Sequence, residues 1–343
     1  MHMADALLSP AVGGTMWGVS AGALAWSARR VRREADDAGV PLMGVLGAFV
    51  FAAQMINFSI PATGSSGHLG GGILLAILLG PAAALITIAS VLVVQAVFFA
   101  DGGLLALGCN IFNMGVVPAL LVYPLIYRRI AGERPGKRRQ AAAIMASAIV
   151  ALQLGSLAVV LETVASGISA LPAATFLLLM QPIHLAIGIV EGIATSAVVS
   201  FAAKARPDIV HGFPETPGPA GRTARGAVLA ILAVAVLTGG VLSWFASKDP
   251  DGLEWAVGKV TGSGELKAPG EGLHGALAAL QGKTAVLPDY GFRKPADGGG
   301  VPSPKKEAEE RVGTSLSGLL GGLITLLLLI VSGKILRKRS RIA

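Results

Sequence analysis

Two histidines carry the first chemical signal: His2, beside the first residue of the chain, and His68, inside the glycine-rich run from Gly64 to Gly72 (GSSGHLGGG). A histidine in position two offers one ion three nitrogens: the free amine of Met1, its own backbone nitrogen once deprotonated, and the ring nitrogen nearer the backbone. These close fused five- and six-membered chelate rings in one plane. A fourth nitrogen completes a square, and the glycines flanking His68 let its backbone approach closely enough to supply one. Planar nitrogen ligation suits Ni(II) or Cu(II), whereas zinc takes a tetrahedron and magnesium or calcium take oxygen. The bulk of the His2 side chain impedes removal of the initiator methionine, so the amine is expected to stay in place. Read singly, each histidine also fits a plainer role, a chance residue after Met1 or a polar cap in a glycine loop.

A membrane is what would bring the two together. Of the 343 residues, 53% are hydrophobic and 14% charged, with a mean hydropathy of +0.68, too apolar for a soluble globular chain. About nine stretches approach the roughly 20 apolar residues that a membrane helix needs: 11–28, 41–59, 70–80, 82–100, 104–127, 140–161, 174–203, 226–246 and 315–335. The third is too short to cross alone. The formal net charge of +8 is not a nucleic-acid signature, because the basic residues cluster at Arg29 to Arg33, Arg128 to Arg139 and Lys334 to Arg341. Putting those loops inside leaves the N-terminus and the connections 60–69, 100–103 and 162–173 outside, and these contain no Lys or Arg. His2 and His68 then share the external face, where a metal would arrive. The C-terminus falls in the cytoplasm. The opening residues lack the pattern of a cleaved signal, so Met1 is expected to be the mature end. Cys109 is the one cysteine, which excludes an internal disulfide or a Cys-based zinc site.

The chain divides into a seven-span unit (1–204), a cytoplasmic linker (205–225, with the Pro/Gly-rich run 213–219) and a two-span hairpin (226–343) around an external polar segment (247–314). The expected fold class is an all-α integral membrane protein. Polar residues at membrane depth, Gln54, Asn57, Gln153, Gln181, His184 and Glu191 among them, read chiefly as bonds between packed helices. His184 and Glu191 lie seven apart and share a helix face, which would also suit an ion path. Gln95, Asn110 and Asn113 are candidates to bond the ligating imidazoles, which usually donate their second nitrogen to an acceptor. In the external segment, Asp251, Glu254 and His274 read as solvated surface, with a transient metal site as the sharper reading.

The opening MHMADALLSPAVGGTMW, the loop SSGHLGGG, the run VQAVFFADGGLLALGCNIFNMG and the later PIHLAIGIVEG resemble the CbiM/NikM family of cobalt and nickel specificity components of energy-coupling factor transporters. Pro250 to Glu254 resembles the PDGLE signature of the family's small companion subunit, here on the same chain. The resemblance implies a seven-helix S-component bundle followed by the companion's hairpin. It implies metal held by Met1, His2 and His68, a transmembrane coupling component and separate ATPase subunits as partners, and an inner-membrane location. Cobalt members typically open Met-His-Ile-Met-Glu-Gly; this opening, Met-His-Met-Ala-Asp-Ala, favours nickel, with cobalt the alternative. In this class the specificity subunit docks on the coupling component through stripes of small residues. Ala21 and Ala25 on the first span, or Gly44, Ala48 and Ala52 on the second, are the candidates, with packing inside the bundle the alternative for either ladder.

Competing classes find less support. The chain carries neither a His-Glu-x-x-His motif nor a Gly-x-x-x-x-Gly-Lys phosphate loop, and it shows no inverted repeat of the kind that builds self-contained transporters. Binding rather than catalysis is therefore expected, with no cofactor and with Ni(II) or Co(II) as cargo. An amine and imidazoles titrating near ~8 and ~6.5 would make metal affinity fall in acid.

Overall fold

A computed structural model describes residues 2–34, 39–133, 135–205, 222–264, 266, 268–293 and 304–338. Met1, most of the linker and the last basic residues lie outside the described residues. Helices form where the apolar runs lie. They are α1 (Pro10–Glu34), α2 (Gly39–Gln54), α3 (Gly72–Leu79), α4 (Pro81–Phe99), α5 (Leu107–Ala131), α6 (Lys137–Ser166), α7 (Ala173–Ala205) and α8 (Arg222–Gly240). Two short helices, α9 (Gly252–Thr261) and α10 (Gly272–Thr284), precede the long α11 (Pro304–Lys338). By length and composition α4, α5, α6, α7 and α11 can each cross a membrane.

The short third stretch is a buried helix. Ile73, Leu75, Ala76 and Ile77 of α3 have no exposed surface, as expected of a helix apolar on every side. Gly80, with φ 78° and ψ 161°, breaks the chain between α3 and α4, and Pro81 restarts it at the first helical position, where a missing N–H is harmless. The second apolar stretch ends sooner than its hydropathy suggests. After Gln54 the chain enters a small antiparallel hairpin, β1 (Phe58–Ile60) with β2 (Ser65–Gly67), in the register Ser59 opposite Ser66. α5 carries Pro118 and Pro124 in its interior and runs with wide π-type turns over Phe112–Tyr127. Each proline lacks an N–H donor, which the regular α ladder would require.

Packing corrects the reading of the second small-residue ladder. A Cβ at Gly44 would stand 2.9 Å from Leu326 Cδ1 and 3.3 Å from its carbonyl oxygen, and Gly322 lies against Ala48. Ala52 is 1% exposed. The Gly44–Ala48 face of α2 is thus filled by α11 of the same chain, which removes it from contact with an outside partner. Ala21 and Ala25 of α1 remain exposed, and a Cβ added at Gly18 or Gly22 beside them would meet no other part of the protein within 4 Å.

The last two long helices cross closely at glycines. A Cβ at Gly318 would lie 2.6 Å from the carbonyl carbon of Gly239 and 2.7 Å from its Cα. Small residues at such a crossing let backbones touch. Gly318→Leu is expected to lower the apparent melting temperature of the purified protein by roughly 2–6 °C through overpacking. Leu at exposed Gly226 serves as the control, and equal melting of the two variants would show that the crossing is not held by this contact.

Candidate metal centre

The N-terminal segment is threaded into the bundle. Met3 and Leu8 have no exposed surface. Asn110 accepts the Met3 N–H at 2.8 Å and donates to its carbonyl at 3.3 Å, and Gly103 N–H donates to the same carbonyl at 2.9 Å. Asp5 Oδ1 accepts the Ala106 N–H at 2.9 Å. At the far end of the segment, His274 of α10 donates from Nε2 to the Leu8 carbonyl at 2.8 Å. His274, expected at the surface, is 5% exposed. Its helix lies on the N-terminal segment, so its ring serves as a clamp.

His2 therefore projects from a fixed backbone, and His68 reaches it from the loop after β2. Their rings stack at 5.0 Å between centroids with an interplanar angle of 11°. One ion bonded at about 2 Å to a nitrogen of each ring can span that gap. His68 Nδ1 is 3.1 Å from the Leu69 carbonyl. A carbonyl only accepts, so Nδ1 carries the proton and Nε2 is the lone-pair donor. Burial, with the neighbouring His2 adding to it, pulls the His68 ring down to about 3, far from the ~6.5 of a free imidazole. The ring is neutral, and ready to ligate, across the physiological range.

The loop that carries His68 is tied at its glycines. Glu191 of α7 accepts the Gly70 and Gly71 N–H groups at 2.8 and 3.0 Å, one on each carboxylate oxygen. Gly71 has φ 77°, and a Cβ there would also press on Val50 at 2.7 Å. Gln95 donates to Gln54 at 2.9 Å, which donates to the Gly70 carbonyl at 2.9 Å. Asn113 donates to Glu162 at 2.8 Å and approaches the Met3 sulfur at 3.8 Å. Gln95, Asn110 and Asn113 thus reach the site through backbone and neighbours; the bonds found for them go to Gln54, Met3 and Glu162, and none goes to an imidazole.

Two residues that the sequence reading did not single out complete the arrangement. Asp101 Oδ1 is 3.1 Å from His2 Nδ1, and Tyr290 donates to Asp101 Oδ2 at 2.5 Å. Burial alone would raise the Asp101 carboxyl; the His2 ring and the bonds from His2 and Tyr290 reverse this and hold it well below the usual carboxylate range. Burial, and then the Asp101 charge, push the Tyr290 hydroxyl well above its ordinary value. The ring of Tyr290 stacks on Phe99 at 5.1 Å, and its backbone has φ 58° after Asp289 at φ 51°. Two consecutive non-glycine residues in the left-handed region are costly and cluster where geometry matters. Asp101 had one sequence signal, a lone acid in a short connection between apolar runs that is free of Lys and Arg. Tyr290 had none, because its contact with Asp101 spans 189 positions of the chain.

His2 Nδ1, the nitrogen that closes the six-membered chelate ring, is turned to Asp101, while His2 Nε2 is buried without a partner. An ion taking Nδ1 displaces that proton, and Asp101 then sits beside a cation. Both rings border a cavity of about 570 Å³ that Asp5, Asp249, Asp251 and Glu254 also line, with no Lys or Arg among its described residues. Such a lining concentrates cations. Among the described residues no three His, Cys, Asp or Glu side chains are arranged to hold a metal. Asp251, Glu254 and His274 do not converge: Asp251 caps α9, accepting the Leu253 and Glu254 N–H groups at 2.8 Å, and Glu254 closes the capping box.

The segment between α8 and α11 forms part of the wall. Ser66 N–H donates to the Pro250 carbonyl at 2.8 Å, and Trp255 Nε1 to the Thr63 carbonyl at 3.0 Å. Gln281 donates to the Ala96 and Gly102 carbonyls at 2.9 and 2.8 Å, on both sides of Asp101.

Residues 2–209 match the family described as "Cobalt uptake substrate-specific transmembrane region", and residues 225–338 match the PDGLE domain. A putative fused nickel transport protein, NikMN, of Archaeoglobus fulgidus is 36% identical over 69% of this chain and 76% of its own. The fused nickel transport protein NikMN of Rhodobacter capsulatus is 29% identical over 84% of this chain and 88% of its own. A crystal structure described as a transition metal transporter superposes with a TM-score of 0.54 at 30% identity, covering 62% of this chain and 96% of that one. With the family match extending over the bundle that carries His2, His68 and Asp101, the chain belongs to the CbiM family of transition-metal transport proteins and bears a PDGLE domain at its C-terminal end.

Proposed function

We propose that this chain is the substrate-binding membrane subunit of an ATP-driven energy-coupling factor transporter for nickel, with cobalt as the alternative cargo. The observation that carries the reading is the stacking of His2 on His68 at 5.0 Å on the wall of an acid-lined cavity. The fused nickel transport relatives support nickel. The ion is held by the Met1 amine, the His2 amide and ring, and His68, in the planar arrangement that suits Ni(II). Seven spans carry this site and two more carry the PDGLE segment, in the inner membrane, with the N-terminus outside and the C-terminus in the cytoplasm. Separate ATPase subunits hydrolyse ATP, and a coupling membrane subunit docks on the exposed Ala21 and Ala25 face of α1. The chain itself binds and does not catalyse.

The test is the metal content and affinity of the purified protein with its native N-terminus, set beside His2→Ala and His68→Ala. One tightly held nickel, lost in both variants, supports the reading. Preference for cobalt in competition keeps the site and changes the cargo, and binding indifferent to both histidines overturns the site. Tyr290 gives a finer prediction. Tyr290→Phe keeps the ring on Phe99 but removes the bond to Asp101, and nickel affinity is expected to fall roughly tenfold, the scale of losing a group that orients a ligand. Unchanged affinity would mean that Asp101 holds His2 without help from the C-terminal module.

A further inference from the structure

Next to the His68 loop lies a second, far smaller cavity of about 10 Å³, the space of one water or one ion. His68, His184 and Asp251 line it together with the apolar side chains of Met114, Leu152 and Ile187. His184 stands inside α7 and has no exposed surface. Its Nδ1 is 2.8 Å from the Met180 carbonyl. That oxygen can only accept, so Nδ1 carries the proton and Nε2 carries the lone pair. Nε2 is buried and has no hydrogen-bond partner. A buried acceptor left unmade costs the full desolvation of that atom, and such groups in native folds call for an explanation. The two acids beside this ring are engaged: both oxygens of Glu191 take loop amides, and Asp251 caps α9.

The fused module presses on this ring. A Cβ at Gly252, the first residue of α9, would stand 3.2 Å from His184 Cε1 and 2.7 Å from Ile183 Cγ2. A ring with one nitrogen anchored on a backbone carbonyl and the other free is how proteins present histidine to a metal. A divalent transition metal suits a neutral imidazole nitrogen.

We propose that this cavity is an inner, transient metal station, in which His184 Nε2 takes a divalent transition-metal ion as it leaves the outer nitrogen set, with His68 as the imidazole between the two positions. The inference rests on the outer site argued above. The exchange balances: protons from solvent return to the amine and to the His2 amide nitrogen as their bonds to the ion break, and the bond to His184 forms at a lone pair that has no proton to lose. Among the described residues no three His, Cys, Asp or Glu side chains are arranged to hold a metal, and Asp251 is engaged in capping α9, so the station binds weakly, as a point of passage needs.

The experiment uses the full chain in detergent and Ni(II) or Co(II) ions as the probe. In His2→Ala the outer chelate is gone, and weak binding by His68 and His184 is expected to remain. His184→Asn in that background keeps a donor for the Met180 carbonyl and removes the Nε2 lone pair. It is expected to lower the residual affinity at least tenfold and to change the Co(II) absorption spectrum. Equal affinity and spectrum with and without His184 overturn the station and leave the cavity to water. Should His184→Asn fail to fold, the imidazoles on Co(II) in His2→Ala alone decide, counted by nitrogen hyperfine coupling with labelled histidine. Two imidazoles are expected, and one or none overturns the proposal. An unaltered chain that holds no nickel sensitive to His2 would instead overturn the outer site, a separate outcome.

Discussion

One residue added before Met1 is expected to lower nickel affinity by about three orders of magnitude, or ~4 kcal/mol, with the fold and the two histidines intact. The added residue turns the Met1 amine into an amide and moves the free amine one residue further from His2, so a chelate from the new amine needs a second amide to ionise, fills all four places of the plane and leaves none for His68. A flexible segment would compensate by sliding inward. This one is held: Asn110 grips both the N–H and the carbonyl of Met3, Gly103 takes the same carbonyl, Asp5 accepts from Ala106, and His274 donates to Leu8. A one-residue slip would break each of these bonds and move the Met3 side chain out of its fully buried position. The check is competition titration of the extended protein against the native one, with melting temperature measured alongside. Unaltered affinity at equal stability would remove the amine from the ligand set.

The sequence makes the helices and the two histidines legible for different reasons. Apolar runs and basic clusters report on the bilayer, a solvent whose demands are read residue by residue, so the helical stretches lie near their expected places. His2 and His68 stand out because their sequence settings are distinctive: a place beside the first residue, and a glycine loop. Residues that act through distant contacts carry no such mark. Tyr290 bonds Asp101 across 189 positions, and His274 bonds Leu8 across 266. His274 reads as surface because its segment is polar and rich in Gly and Pro, yet that segment packs on the body of the protein. The Gly44–Ala48–Ala52 ladder is a similar case. Small residues announce that a helix comes close, and here it is α11 of the same chain.

Acidification from pH 8 to pH 6 is expected to weaken nickel binding by about four orders of magnitude, and the structure narrows which groups cause it. Coordination through the His2 backbone nitrogen releases one proton at any pH, and the amine releases a second wherever it is protonated, below about 8. Each proton released costs about tenfold in affinity per pH unit, so two give roughly a hundredfold per unit. His68 adds nothing, because burial already keeps its ring neutral down to about 3. Affinity therefore rises with pH, and the steep part ends near the amine's titration rather than near that of a free imidazole. Equilibrium dialysis at pH 8, 7 and 6 with buffered free nickel reads the slope directly. A slope near two protons supports the amine and amide together, and a slope near one leaves only the amide. A flat profile would remove both and return the site to ligands that bind without losing a proton, of which neutral His68 is one.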